Sequence, residues 1–129
     1  ALRKRQEEYI EERMQELYPN LAAVAGAAIG AKLLVLAGSI KKLAILPSST
    51  IQLLGAEKAL FRHLRDKKQR PPKFGILHEH PLITKVKRQD QGKAARALAD
   101  KIAIACRVDY FKGEFVGDKL KAEIEKRFA

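Results

Sequence analysis

Residues 2–18 place apolar side chains at Ile10, Met14 and Leu17 in a stretch otherwise dominated by Glu, Arg, Lys and Gln. Spacings of four and three put these three on one narrow seam of a helix. A stripe this thin suits a coiled-coil partner better than a globular core. Pro19 ends that helix, and Asn20 is placed to cap the next one. Residues 21–40 then run almost without polarity, with Lys32 and Ser39 as the interruptions. The length matches a membrane span, and Gly26-x-x-x-Gly30 matches a helix-packing motif. Lys32 sits mid-run, where a charge is costly in lipid, and much of the run is Ala and Gly. The pattern favours one buried helix of a soluble fold over a membrane span.

After Leu46-Pro47, the pair Ser49 and Gln52 has the spacing of a capping box, so a helix starts there. Gly55 interrupts or bends it, and a second helix covers residues 55–65. At about 100° per residue, Lys58, Arg62 and Arg65 fall within a wedge of roughly 60°. Leu60 and Leu64 point nearly opposite, with Phe61 between, and these three are expected in the core. Residues 66–81 hold Pro71, Pro72 and Gly75, which forbid a regular helix. Phe74, Ile76 and Leu77 are expected to anchor this loop. Asp90 caps a long helix from about Gln91 to Tyr110, apolar on nearly every side after Arg96 and therefore central. A short mixed-charge helix closes the chain from Gly117. No alternating strand pattern of useful length is present, and the fold class is all-α. The organisation expected is a coiled-coil end over 1–18, a helical domain over 19–116 and a C-terminal helix over 117–129.

The 129 residues suffice for one domain with its own core, and 47% of them are hydrophobic. The net charge of +11 is uneven. Residues 56–101 carry 13 Lys or Arg against five acids, whereas the segments before 19 and after 106 are close to neutral. An excess of this kind is an electrostatic footprint for nucleic acid or anionic lipid. Cys106 is the single cysteine, in the apolar run Ile102-Ala103-Ile104-Ala105. It reads as a buried small hydrophobe rather than a catalytic thiol, and its isolation suits an intracellular chain. No signal peptide is visible, and a first residue that is not Met suggests a piece of a longer protein.

Candidate chemistry narrows the choice. His78 and His80 flank Glu79 and could chelate, but a third and fourth ligand at recognisable spacing are lacking, so no metal is expected. No Gly-x-Ser-x-Gly, convincing acid pair or Gly-rich phosphate loop is present, so neither catalysis nor a cofactor is expected. Nucleic-acid binding fits better. Helix starts at Gly55 and Gly92 offer free amides to anions. Lys58 and Arg62 share one face of the first, and Lys93 and Arg96 one side of the second. Arg70 and Lys73 lie in the loop between them.

These segments resemble the Nop domain, found in the scaffold proteins of box C/D ribonucleoproteins. The resemblance rests on Pro19-Asn20-Leu21, Gly30-Ala31, the stretch from Leu46 through Gly55-Ala56-Glu57-Lys58 to Arg62, Pro72-Lys73-Phe74-Gly75, Gly92-Lys93-Ala94-Ala95-Arg96 and Arg107-Val108-Asp109. It implies an all-helical module that recognises a kink-turn of a box C/D guide RNA together with the small ribosomal-type protein bound to it. It implies that the complete particle performs guided 2′-O-methylation of RNA and that this fragment catalyses nothing. Residues 1–18 would be the returning end of a dimerising coiled coil, and fibrillarin would be recruited by an N-terminal domain outside this stretch. The location implied is cytoplasmic in an archaeon and nucleolar in a eukaryote. The RNP-binding residues implied are Gln52, Glu57, Lys58, Arg62, Lys73, His78, Glu79, His80, Lys93 and Arg96. Some relatives carry a His at the position of Glu79, against an exposed base. Here His78 or His80 could substitute, or Glu79 could hydrogen-bond a base edge. The alternatives are a sequence-nonspecific basic nucleic-acid-binding protein and a purely protein-scaffolding bundle.

Overall fold

Pro19 occupies the first turn of a helix because it lacks an N–H that this position would leave unpaired. In the structure, a computed structural model describing residues 2–70, 72 and 75–128, α1 covers Leu2–Leu17 and α2 covers Pro19–Ala25. Tyr18 stands at the cap position, and Asn20 is inside α2 and buried, so it does not cap the helix as expected. The apolar run is not one helix. Gly26 takes φ +87°, a left-handed value that favours Gly, and the chain turns by 112° into α3 (Ala27–Ala37). The bend folds the run onto itself, and Leu21 and Leu33 become fully buried. No single helix among the described residues is long and apolar enough to cross a membrane.

Gly30 lets helices approach closely. A Cβ there would meet the Met14 Cε at 3.0 Å and the Leu21 Cγ at 3.3 Å. Met14 is the buried residue of α1, whereas Ile10 and Leu17 of the same seam are exposed. Two short helices follow, α4 (Ile40–Ile45) and α5 (Ser48–Leu53). Ser39 caps α4, its hydroxyl accepting the Lys42 N–H at 3.1 Å. The expected capping box is absent: Pro47 holds the cap position of α5 with no side-chain bond, and Ser49 lies inside the helix.

The helix α6 starts at Glu57 and ends at Arg65, two residues later than expected, because Gly55 at φ +94° turns the chain first. It shares no extensive contact with any other helix among the described residues. Phe61 and Leu64 are more than half exposed and Leu60 is half-buried, so the expected core face of α6 is not in the core. Pro71, Lys73 and Phe74 lie outside the described residues, so the anchor expected at Phe74 has no structural account. A 3₁₀ turn at Ile76–Glu79 buries Leu77 and leads into α7 (Pro81–Lys85), a helix the sequence pattern does not announce.

The frame is α8 (Gln91–Tyr110), which packs against α2, α4, α5, α7 and the final helix α9 (Gly117–Arg127). Its buried alanines at 94, 95, 97, 99, 103 and 105 admit neighbours closely, while Leu98 and Ile102 are fully buried and contribute about 2 kcal/mol each. Asp90 stands at its cap position as expected but makes no side-chain cap bond. Cys106 is fully buried, and burial pushes its thiol up to about 12, leaving no thiolate at neutral pH.

Candidate nucleic-acid interface

Positions 93, 96, 100, 104 and 107 of α8 form its exposed stripe. At the start of that stripe lies an open groove of about 630 Å³, bordered by Gln52 of α5, Pro72, Gln89, Lys93, Arg96, Asp100 and Arg127 of α9. Gly92 also lines it, and a Cβ added there would meet nothing. The first amides of α8 lack a side-chain cap, so Lys93 and Arg96 add formal charge to a helix end already favourable to anions. Gln52, Lys93 and Arg96 are thus brought together by the packing of α5 on α8.

The loop carrying the histidines is tied to the end of α5. The Gly75 N–H donates to the Gln52 carbonyl at 2.8 Å and the Ile76 N–H to the Leu54 carbonyl at 2.7 Å. Gly is required at 75 because a Cβ would collide with the Leu54 carbonyl. The three residues of His78-Glu79-His80 then diverge. His78 is exposed, with its Nδ1–H donating to the Gly75 carbonyl at 2.7 Å. Glu79 is exposed and paired with Lys32 of α3 at 2.7 Å, and that hydrogen bond holds its carboxyl below the usual range. His80 turns inward: its Nε2–H donates to the Val24 carbonyl at 3.0 Å, and its Nδ1 accepts the Leu82 N–H at 3.1 Å. Both ring nitrogens are therefore engaged within the protein, and His80 does not reach the groove as a substitute base contact. It caps α7, and burial lowers its pKa. Among the described residues, no three potential metal ligands converge.

The α6 residues stand apart from this groove. The Glu57 carboxylate accepts the Gly55 N–H at 3.1 Å and lines a separate, mainly apolar cleft of about 190 Å³ with Leu53, Leu54 and Leu60. Lys58 and Arg62 are exposed and form no ion pair among the described residues. Among the described residues, the helix starts of α6 and α8 line separate concavities. Lys73 lies outside the described residues.

Sequence reasoning does not find Gln89, Asp100 or Arg127. Arg127 is in the last turn of α9, 31 positions beyond Arg96 (96 to 127), and only the docking of α9 onto α8 brings it to the groove. Its guanidinium lies 5.4 Å from the Phe128 ring centre, a cation–π contact that holds it. The sequence pattern gives α9 as a short mixed-charge helix, but not its place.

Comparison with known proteins gives one family. The model of the Nop family, described as snoRNA binding domain, fibrillarin, matches residues 1–129. An uncharacterized NOP5 family protein of Methanocaldococcus jannaschii is 50% identical over 125 residues, covering 97% of this chain and 30% of that protein. Nucleolar protein 58 of Scheffersomyces stipitis is 42% identical, covering 100% of the chain and 26% of its own length. Nucleolar protein 56 of Homo sapiens is 39% identical, covering 94% and 21%. The chain thus spans less than a third of these curated relatives. A crystal structure of a fibrillarin/Nop5p complex superposes with a TM-score of 0.77 at 40% identity, over 98% of this chain and 47% of that one.

Proposed function

The chain belongs to the Nop family, and from that premise we propose that it is a composite recognition module for an RNA–protein complex. One ligand element is a kink-turn of a box C/D guide RNA, and the other is the small ribosomal-type protein bound to that RNA. The observation that carries this reading is the division of the surface. An open basic groove on α8 and α5 suits phosphates, whereas α6 exposes Phe61 and Leu64 as well as Lys58 and Arg62 on its different sides. Two surfaces of different chemistry, one charged and one amphipathic, suit two ligands bound at once. A uniform cationic strip would suit nucleic acid alone.

In this reading the chain catalyses nothing and positions the RNA for guided 2′-O-methylation performed elsewhere in the particle. Fibrillarin and self-association are engaged by other parts of a longer protein, with α1 as the end of a coiled coil. The module works in the cytoplasm of an archaeal cell or the nucleolus of a eukaryotic one. Gel-shift titration with a kink-turn RNA, with and without the small protein, tests the reading. Tight binding to the preformed complex and weak binding to bare RNA are expected. Equal binding to an unrelated duplex would leave sequence-nonspecific nucleic-acid binding instead.

A further inference from the structure

Arg127 borders two grooves. One is the basic groove on α5 and α8. The other, of about 490 Å³, is lined by Lys85, Val86, Lys87, Asp90 and Phe128. The two hollows are therefore contiguous, with the last turn of α9 at their shared edge.

Local structure explains the second groove. Lys85 ends α7, and the next two residues are extended, Val86 at φ −83°, ψ 158° and Lys87 at φ −61°, ψ 147°. Side chains alternate along extended backbone. Val86 is half-buried and packs on the core, so Lys85 and Lys87 on either side of it are both exposed. Phe128 is half-buried against the same core, and the Arg127 guanidinium lies over its ring at 5.4 Å. Stacking of this kind leaves the N–H edges of the guanidinium open to an acceptor. The groove has an apolar floor and cationic rims.

Its cations are not neutralised by the protein. Lys85, Lys87 and Arg127 share this groove with one carboxylate, Asp90, and Lys93, Arg96 and Arg127 share the first with Asp100. None of these five cations forms an ion pair among the described residues. Phosphates supply the missing partners in a surface of this kind. The track ends at Lys85, since the cleft that it shares with His80 is largely apolar and balances Lys121 with Glu125.

We propose that the second groove is a further RNA-backbone site. Lys85 and Lys87 bind phosphates of the same RNA that lies on Lys93 and Arg96, and Arg127 is the ridge between the two stretches. The proposal rests on the reading of the first groove as an RNA site.

The test is fluorescence anisotropy against labelled kink-turn RNA carrying the small protein, over a salt series. Lys85→Gln combined with Lys87→Gln should reduce the slope of log affinity against log salt by about two units, and Arg127→Gln by about one. Adding Lys93→Gln to the Lys85 and Lys87 pair should bring the loss to about three units, because one RNA occupies both grooves. Lys126→Gln removes the same charge from an exposed neighbour of Arg127 that lines neither groove, and should leave the slope unchanged. An unchanged slope for the Lys85 and Lys87 pair would overturn the proposal. So would a loss for Lys126→Gln equal to that of Arg127→Gln, which would mean diffuse charge and no built site. A parent chain that gains nothing from the small protein overturns instead the composite-recognition reading, and the slope losses still decide whether the second groove holds phosphates.

Discussion

The carboxylate of Asp109 accepts two hydrogen bonds from Asn20, one from the side-chain amide at 2.9 Å and one from the backbone N–H at 3.1 Å. Its second oxygen accepts the Leu21 N–H at 2.8 Å. Asp109 therefore satisfies first-turn amides of α2 from the far end of the sequence, a cap supplied in space and not by the neighbouring residue. Asn20 completes the knot, its Oδ1 accepting the Val116 N–H at 2.7 Å just before α9. The two residues lock α2, α8 and the start of α9 together.

Asp109→Ala should lower the unfolding free energy by about 3 kcal/mol, since it leaves buried donors without an acceptor. Urea denaturation followed by circular dichroism measures this. A loss below about 1 kcal/mol would mean that water or a shifted side chain satisfies those amides in the variant.

The same knot shows what the sequence can and cannot reveal. Pro19-Asn20 announces a helix boundary, and α8 and α9 follow from periodicity and from Gly117. A 3.6-residue pattern contains nothing about a partner 89 residues away, so Asn20 reads as a local cap. The break at Gly26 is hidden for a related reason: Gly in an Ala-rich run fits a continuous helix and a left-handed bend equally well, and tertiary packing chooses. Arg96 and Lys93 were readable as a basic helix face. Their meeting with Gln52 and Arg127 depends on how α5 and α9 dock, which spacing does not encode.

The exposed face of α6 gives a sharp contrast between stability and binding. Phe61→Ala and Leu64→Ala should each change unfolding free energy by no more than about 0.5 kcal/mol, because neither side chain is buried. Both should weaken assembly with the protein-bound RNA by roughly tenfold, as expected for an apolar anchor at an interface. Parallel denaturation and gel-shift measurements check this. Destabilisation without loss of binding would place α6 in the core after all.

In the groove, Arg96→Ala and Lys93→Ala should each reduce the slope of log affinity against log salt by about one unit if each neutralises one phosphate. Neither should alter stability, since both side chains are exposed. The slope measured over a salt series is the readout. An unchanged slope for both would remove them from contact with RNA.

His80 predicts a pH effect on folding. Burial lowers its folded pKa below the ordinary imidazole value of about 6.5, and its Nδ1 must stay unprotonated to accept the Leu82 N–H. The unfolded chain therefore binds more protons between the folded pKa and 6.5, and stability rises with pH across that window. As pH falls through it, the cap of α7 is lost. Lys85, Lys121 and Glu125 border the same cleft as His80, and the Lys121 charge also opposes protonation. His80→Gln should flatten this part of the stability profile, measured by urea denaturation from about pH 5 to pH 7.5. An identical profile in parent and variant would contradict a buried neutral imidazole.

The central claim is joint recognition of RNA and protein, and isothermal titration of the chain into each form of the ligand tests it most directly. The account predicts a dissociation constant for the preformed kink-turn complex at least roughly tenfold lower than for the bare RNA at the same salt, a coupling of about 1.4 kcal/mol or more. Equal dissociation constants for the two forms would contradict it.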